Sequence, residues 1–194
     1  MKRIFFITLF FIIYLTKFNI AYSISPDVFI QSTVNRASQI LSKDLSKDDK
    51  ISQLKKIAKE TVDIHGIGFY SLGPARKNLN ENQKKTYSDL FEIYFLKSFS
   101  SRLAEYTNPE IEVKKKEVLN KNYTIVNSVL VSTAERPEVN IDWRVYTKNP
   151  DSPLIRDLII EGLSLARTQK EEFSSILNSN DGDINALFKV LKDF

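Results

Sequence analysis

The sequence predicts an α+β fold: a small antiparallel sheet of about four strands, covered by helices from both ends of the chain. Three observations carry this expectation. Apolar residues recur at helical spacing between residues 26 and 106, and again between 164 and 191. The stretch between them, 110–160, alternates apolar and polar side chains in runs broken by turn residues. Short connections join those runs, which suits antiparallel neighbours, because a parallel pair needs a crossover of about a dozen residues or more.

A leader precedes the fold. Lys2 and Arg3 are a short basic region, Ile4 to Leu15 is a nearly uninterrupted apolar run, and Ala21-Tyr22-Ser23 places small residues at −3 and −1 of a cleavage site. That is the layout of a secretory signal peptide over residues 1–23, its apolar core of about a dozen residues being short for a membrane span of roughly 20. An uncleaved N-terminal anchor is the alternative, and it requires the run to be stretched to Ile20 across Lys17 and Asn19. A lipoprotein is excluded, since no cysteine is present to acylate. Cleavage after Ser23 would leave residues 24–194, long enough for a single domain with its own core.

The chain carries 28 basic and 24 acidic residues, a formal charge of +4; the leader removes three bases and no acid, leaving +1. The calculated pI of 9.1 therefore owes much to the leader. With no basic stripe interleaved with aromatics, no nucleic acid is expected as a partner. The absence of cysteine rules out disulfides, a thiol nucleophile and a thiolate metal site. A secreted chain held by packing alone suits the periplasm of a Gram-negative bacterium.

The elements follow in order. Ser25-Pro26 offers an N-cap with proline at the first helical position, and Val28, Ile30, Val34, Ala37, Ile40 and Leu41 give that helix an apolar side to about Lys43. Ser46 to Asp49 has the form of a capping box, followed at helical spacing by Ile51, Leu54, Ile57, Ala58 and Val62. Asn80 to Gln83 is a second capping box and opens the longest helix, from about Glu81 to Tyr106; Asn108-Pro109 ends it. That helix is apolar over far more than a stripe about 100° wide, with Tyr87, Phe91, Ile93, Phe95, Phe99 and Leu103 spread round its perimeter. It must be covered on two sides, either as a central core helix or partly by a ligand.

Four strands are expected at Glu110–Leu119, Tyr123–Ala134, Val139–Thr147 and Leu154–Ile160. Asn120-Lys121-Asn122, Glu135-Arg136-Pro137 and a turn starting at Asn149-Pro150-Asp151 separate them. In the third, Val139, Ile141, Trp143 and Val145 make a dry face, and Asn140, Asp142, Arg144 and Tyr146 a wet one. The last strand leaves the sheet at Glu161-Gly162, where glycine tolerates a backbone angle other residues resist. Ser164 then caps a helix running to about Asn178, and a final helix spans Asp183 to Leu191. Leu165, Ala166, Gln169, Phe173, Ile176 and Leu177 form the inward side of the first of these two.

Catalytic constellations are thin, and no enzyme is expected. His65, the only histidine, sits in a loop-like Ile-His-Gly-Ile-Gly without a nucleophile in a recognisable setting. There is no Gly-x-Ser-x-Gly elbow, no HExxH and no phosphate loop around Gly66, Gly68 and Gly73. Asp157 and Glu161 share a strand face but lie roughly 13 Å apart by strand rise, too far for a glycosidase pair. Neither a metal nor a cofactor is implied. A packed scaffold with surplus aliphatic and aromatic surface remains, the profile of a binding protein.

The C-terminal stretch from Arg156 to Leu191 resembles the signature of the toluene-tolerance/MlaC family of periplasmic phospholipid-binding proteins. Its carriers are Asp157, Ile159 or Ile160, Glu161-Gly162-Leu163-Ser164, then Gln169, Lys170, Glu172 and Phe173. Leu72-Gly73, Gln83, Tyr106 and Arg136-Pro137-x-Val139 match upstream in the same order. The chain departs from the pattern at Pro153-Leu154, where a Trp is usual, and at Pro74-Ala75-Arg76, where an aromatic is usual.

The resemblance implies an NTF2-like, MlaC-like domain with a central lipid pocket. It implies a carrier of phospholipid that exchanges cargo with an outer-membrane lipoprotein complex and an inner-membrane ABC transporter complex having a membrane-anchored substrate-binding subunit. A monomer with no cofactor is expected. By analogy the pocket is built from Val139, Ile141, Trp143 and Val145 on the dry face, with Leu163 at the strand-to-helix junction. Phe91, Phe95, Phe99 and Leu103 would face them from the long helix. Val129 and Val131, with Leu158 and Ile160, would complete the lining. The physics requires a carrier: two tails of about 16 carbons expose some 30 methylenes at roughly 0.8 kcal/mol each, so bare transit costs on the order of 20 kcal/mol. A protein–protein adaptor of the same fold without a cavity is the alternative, and a hydrolase using His65 a remoter one.

Overall fold

The computed structural model describes residues 23–134 and 136–194. The leader expected over 1–23 lies outside the described residues except for Ser23, as does Glu135 in the second hairpin connection. Helices α1 (Pro26–Leu41), α2 (Lys47–Thr61), α3 (Ile64–Ser71) and α4 (Glu81–Leu103) come first, with a short 3-10 turn at Gly73–Lys77. Strands β1 (Ile111–Asn120), β2 (Tyr123–Leu130), β3 (Val139–Tyr146), β4 (Leu154–Ile160) and β5 (Leu163–Ser164) follow, then α5 (Leu165–Asn178) and α6 (Ile184–Asp193). The strands form one antiparallel sheet in chain order. The α+β architecture is as the sequence predicts, with a two-residue fifth strand added.

Local chemistry explains most boundaries. Ser46 accepts a hydrogen bond from the Asp49 N–H, Asn80 and Gln83 close a reciprocal capping box, and Ser164 and Asp183 cap α5 and α6. Ser25 precedes Pro26 at the start of α1 but makes no such cap; its hydroxyl turns to the Asp27 carboxylate. The long helix ends at Leu103 rather than Tyr106, which is held in a tighter turn by its N–H on the Leu103 carbonyl. Strand β2 stops at Leu130 instead of Ala134. Beyond it the Val131 N–H still donates to the Glu110 carbonyl, and an isolated bridge joins Thr133 to Arg136.

The segment around His65 is a helix, not a loop. Asp63 makes it one: its carboxylate accepts the Gly66 N–H at 2.8 Å and is itself held by Arg156 Nε at 2.6 Å. Gly66 leaves room for the Asp63 carboxylate, and Gly68 serves packing. A Cβ at Gly68 would sit 2.7 Å from Cδ1 of Phe91, so α3 and α4 approach closely only because that atom is missing.

Helix α1 lies along β1 and β2 and α5 along β4, while α4 packs on α2, α3 and α6. The face of the sheet turned toward the helices carries Val126, Ser128 and Leu130 from β2, paired with Trp143, Ile141 and Val139 from β3. Tyr87, Phe91 and Phe173 are fully enclosed between α3, α4 and α5, their rings about 6 Å apart and meeting partly edge to face. The Tyr87 hydroxyl donates to the Gly68 carbonyl, and burial raises its pKa far above the ordinary tyrosine value.

Gly68→Ala is expected to displace the Phe91 ring and cost about 1–3 kcal/mol, read by urea denaturation. An unchanged midpoint would show that α3 and α4 are not in such close apposition.

Candidate functional site

The site is built around the junction between β4 and α5. Asp157 is buried, and its carboxylate accepts from Ser164 Oγ at 2.6 Å, from the Ala166 N–H at 3.0 Å and from Arg144 at 3.3 Å. The residue opening the signature is therefore a helix cap supplied from a neighbouring strand. Glu161 does not continue the strand face: at φ +48° it turns away, and its carboxylate takes the backbone N–H and the side-chain amide of Asn140. Gly162 at φ +80° completes the turn. Asp157 and Glu161 thus have separate structural tasks.

Behind this junction lies a cavity of about 140 Å³. One wall is the inward face of the sheet, from Ile111 and Leu130 through Ile141 and Trp143 to Ile155, Leu158 and Ile160. Val34, Ala37 and Leu41 of α1, with Leu54, Ile57 and Ala58 of α2, make the second wall. Phe99 and Leu103 of α4 close it, with Tyr106 and Pro109 beyond. The lining hydroxyls are turned away: Thr33 and Thr61 donate to the carbonyls of Phe29 and Ile57 in their own helices, and Ser38 to the Pro109 carbonyl. Trp143 Nε1 donates to Ser128 Oγ at 2.8 Å. Each of these four side chains is satisfied by protein, so the hollow between them offers little to hold water and favours hydrocarbon.

Ile141, Trp143, Leu158, Ile160, Phe99 and Leu103 meet around this cavity. The other seven residues singled out from the sequence are placed differently. Phe91 and Phe95 belong to the stacked aromatic core further back along α4, and Val145 is fully buried beyond the cavity end. Val139 is partly buried opposite Leu130. Leu163 pairs with Ile160 and shares its face, but at the sheet edge it is exposed. Val129 pairs with Asn140 and so points to the wet face, and Val131 lies past the end of β2. The wall from α1 and α2 went unassigned in the sequence, although Val34, Ala37, Leu41, Leu54, Ile57 and Ala58 were all visible there as helix faces.

His65 stacks on Phe69 with ring centroids 4.6 Å apart, and its Nδ1 lies 3.2 Å from Ser88 Oγ. Among the described residues no carboxylate holds its other nitrogen, the third member a triad needs. No three or more His, Asp or Glu side chains among the described residues are grouped to hold a metal. None of the described helices is long and apolar enough to cross a membrane.

The fold has solved counterparts. A phospholipid-binding protein from Ralstonia solanacearum, solved in complex with a phospholipid, superposes with a TM-score of 0.73 at 18% identity, covering 88% of this chain and 96% of that one. No curated protein matches the sequence. The family model described as MlaC protein matches residues 31–193, which spans every element of the fold from α1 to α6. The chain belongs to the MlaC family.

Proposed function

We propose that this protein binds the acyl chains of a phospholipid in the apolar cavity and carries it through the periplasm, between an outer-membrane lipoprotein complex and an inner-membrane ABC transporter complex. The observation that carries the reading is the cavity itself, an apolar hollow in which the side-chain polar groups of Thr33, Ser38, Thr61 and Trp143 are spent on protein partners. Family membership and the phospholipid held by the structural neighbour support the same choice of ligand. Residues 1–23 would act as the export signal, 24–194 as one monomeric domain without cofactor or catalysis. The cavity-free adaptor is disfavoured by the hollow between sheet and helices.

The size of the cavity sets a condition. At about 10–15 Å³ of accessible space per water-sized group, 140 Å³ holds roughly ten methylenes. Two complete tails need more, so loading must part the walls. The apolar surface already continues from Ile160 to Leu163 on the same face, toward solvent, and from Ile141 toward Val139. In this reading those residues contact the outer parts of the tails.

Native mass spectrometry of the purified protein, followed by lipid extraction, is expected to find one phospholipid per chain. Ala37→Phe, which fills the cavity from α1, and Leu163→Trp, which narrows its extension, are each expected to lower lipid content about tenfold, with the thermal transition retained. Wild-type protein free of lipid, or filled variants with undiminished lipid, would sink the carrier reading.

A further inference from the structure

Beside the cavity-lining Tyr106 stands a charge that no carboxylate among the described residues balances. Tyr106, which lines the cavity and is exposed on its outer side, carries the guanidinium of Arg136 over its ring at 5.5 Å. Arg136 arrives there from the connection between β2 and β3, anchored by backbone hydrogen bonds in both directions with Thr133. Among the described residues no carboxylate pairs with it. Among the described residues its one side-chain hydrogen bond runs from a terminal nitrogen to the Val131 carbonyl at 3.5 Å, the outer limit of such a bond. Its Nε is buried and has no hydrogen-bond partner among the described residues. A buried donor left unmade is costly, and a native structure that keeps one has a reason for it.

The reason proposed here rests on the carrier reading. We infer that Arg136 is the phosphate-binding residue of the site: with the tails in the cavity, the phosphodiester lies at the rim beside Tyr106, taking paired N–H bonds from the guanidinium. Arginine is the side chain whose planar fork fits a phosphate with two parallel bonds, and stacking on an aromatic ring fixes the plane of that fork before the ligand arrives. The Tyr106 ring also continues the apolar wall outward from Leu103, so the place where hydrocarbon ends and charge begins falls between Tyr106 and Arg136. The selectivity that follows is for lipids bearing a phosphate at the glycerol end over uncharged lipids with the same tails.

Two probes with identical acyl chains test this: phosphatidylglycerol and diacylglycerol, each titrated into delipidated full-length mature protein. Arg136→Gln is expected to weaken phosphatidylglycerol binding about tenfold or more and leave diacylglycerol unchanged, removing the preference between them. Arg136→Lys, which keeps the charge and the stem without the fork, is expected to fall between. It also guards against a folding defect in the glutamine variant. If both variants keep the wild-type ratio of the two affinities, the assignment of Arg136 is overturned while the carrier stands. Wild-type protein that takes up neither lipid overturns both.

Discussion

The structure depends on a change of packing along α4. From Tyr87 to Phe95 its aromatic side chains interlock with α3 and α5, close enough that Gly68 can carry no side chain. From Phe99 onward the helix faces the sheet across empty space. Solid packing at one end supplies the stability of the domain, since each fully buried aromatic removes a large apolar area from water. That frees the other end to remain hollow, where every missing contact would otherwise be a net loss. Stability and capacity are divided along one helix.

The opposite wall is held rigid by different means. The sheet is tied by backbone ladders, and its last strand is clamped to α5 through Asp157, which serves three partners from both sides of the junction. The parallel bridge from Val62 to Ile155, with the Asp63 N–H on the Ile155 carbonyl, ties the α2–α3 corner to the same strand. Glu161 binds the start of β3 back to the turn. The residues that make the C-terminal signature recognisable are therefore those that hold the cavity's floor in place. None of Asp157, Glu161, Gly162 and Ser164 lines the cavity.

Much of this was legible in the sequence. Caps at Ser46, Asn80 and Ser164 marked the starts of three helices because capping is local chemistry. The alternation in β3 correctly separated Ile141 and Trp143 from Asp142 and Arg144. What failed were matters of register and of distance. Val129 and Leu130 are both apolar and buried, so alternation at the end of β2 did not reveal that Leu130 faces inward and Val129 outward. A register shift at Arg156 puts Ile155 on the same face as Leu158, which no regular period of two allows. The His65 segment looks loop-like from its glycines, yet Gly68 answers to Phe91, a residue more than twenty positions away, and Gly66 to the capping carboxylate of Asp63. The contribution of α1 and α2 to the cavity was hidden for the same reason: a helix face shows that it is buried, not what it is buried against.

The two walls also differ in how they can yield. Enlarging the cavity by moving the sheet would break ladder hydrogen bonds in several strands together, along with the Asp157 cluster. The wall made by α1 is attached to the sheet's free edge through side chains among the described residues: Gln31 bridges the Ile111 carbonyl and the Val113 N–H, Ser38 holds the Pro109 carbonyl, and Lys116 pairs with Asp27. Those bonds are few and at most part-buried, so parting them costs less than opening the ladder of several strands. Beyond them a polar groove between α1 and β1 shares Ser38, Pro109 and Ile111 with the cavity, leaving a wall one side chain thick. Any enlargement of the hollow is therefore cheapest along the α1–β1 seam, with the sheet and the aromatic core unmoved.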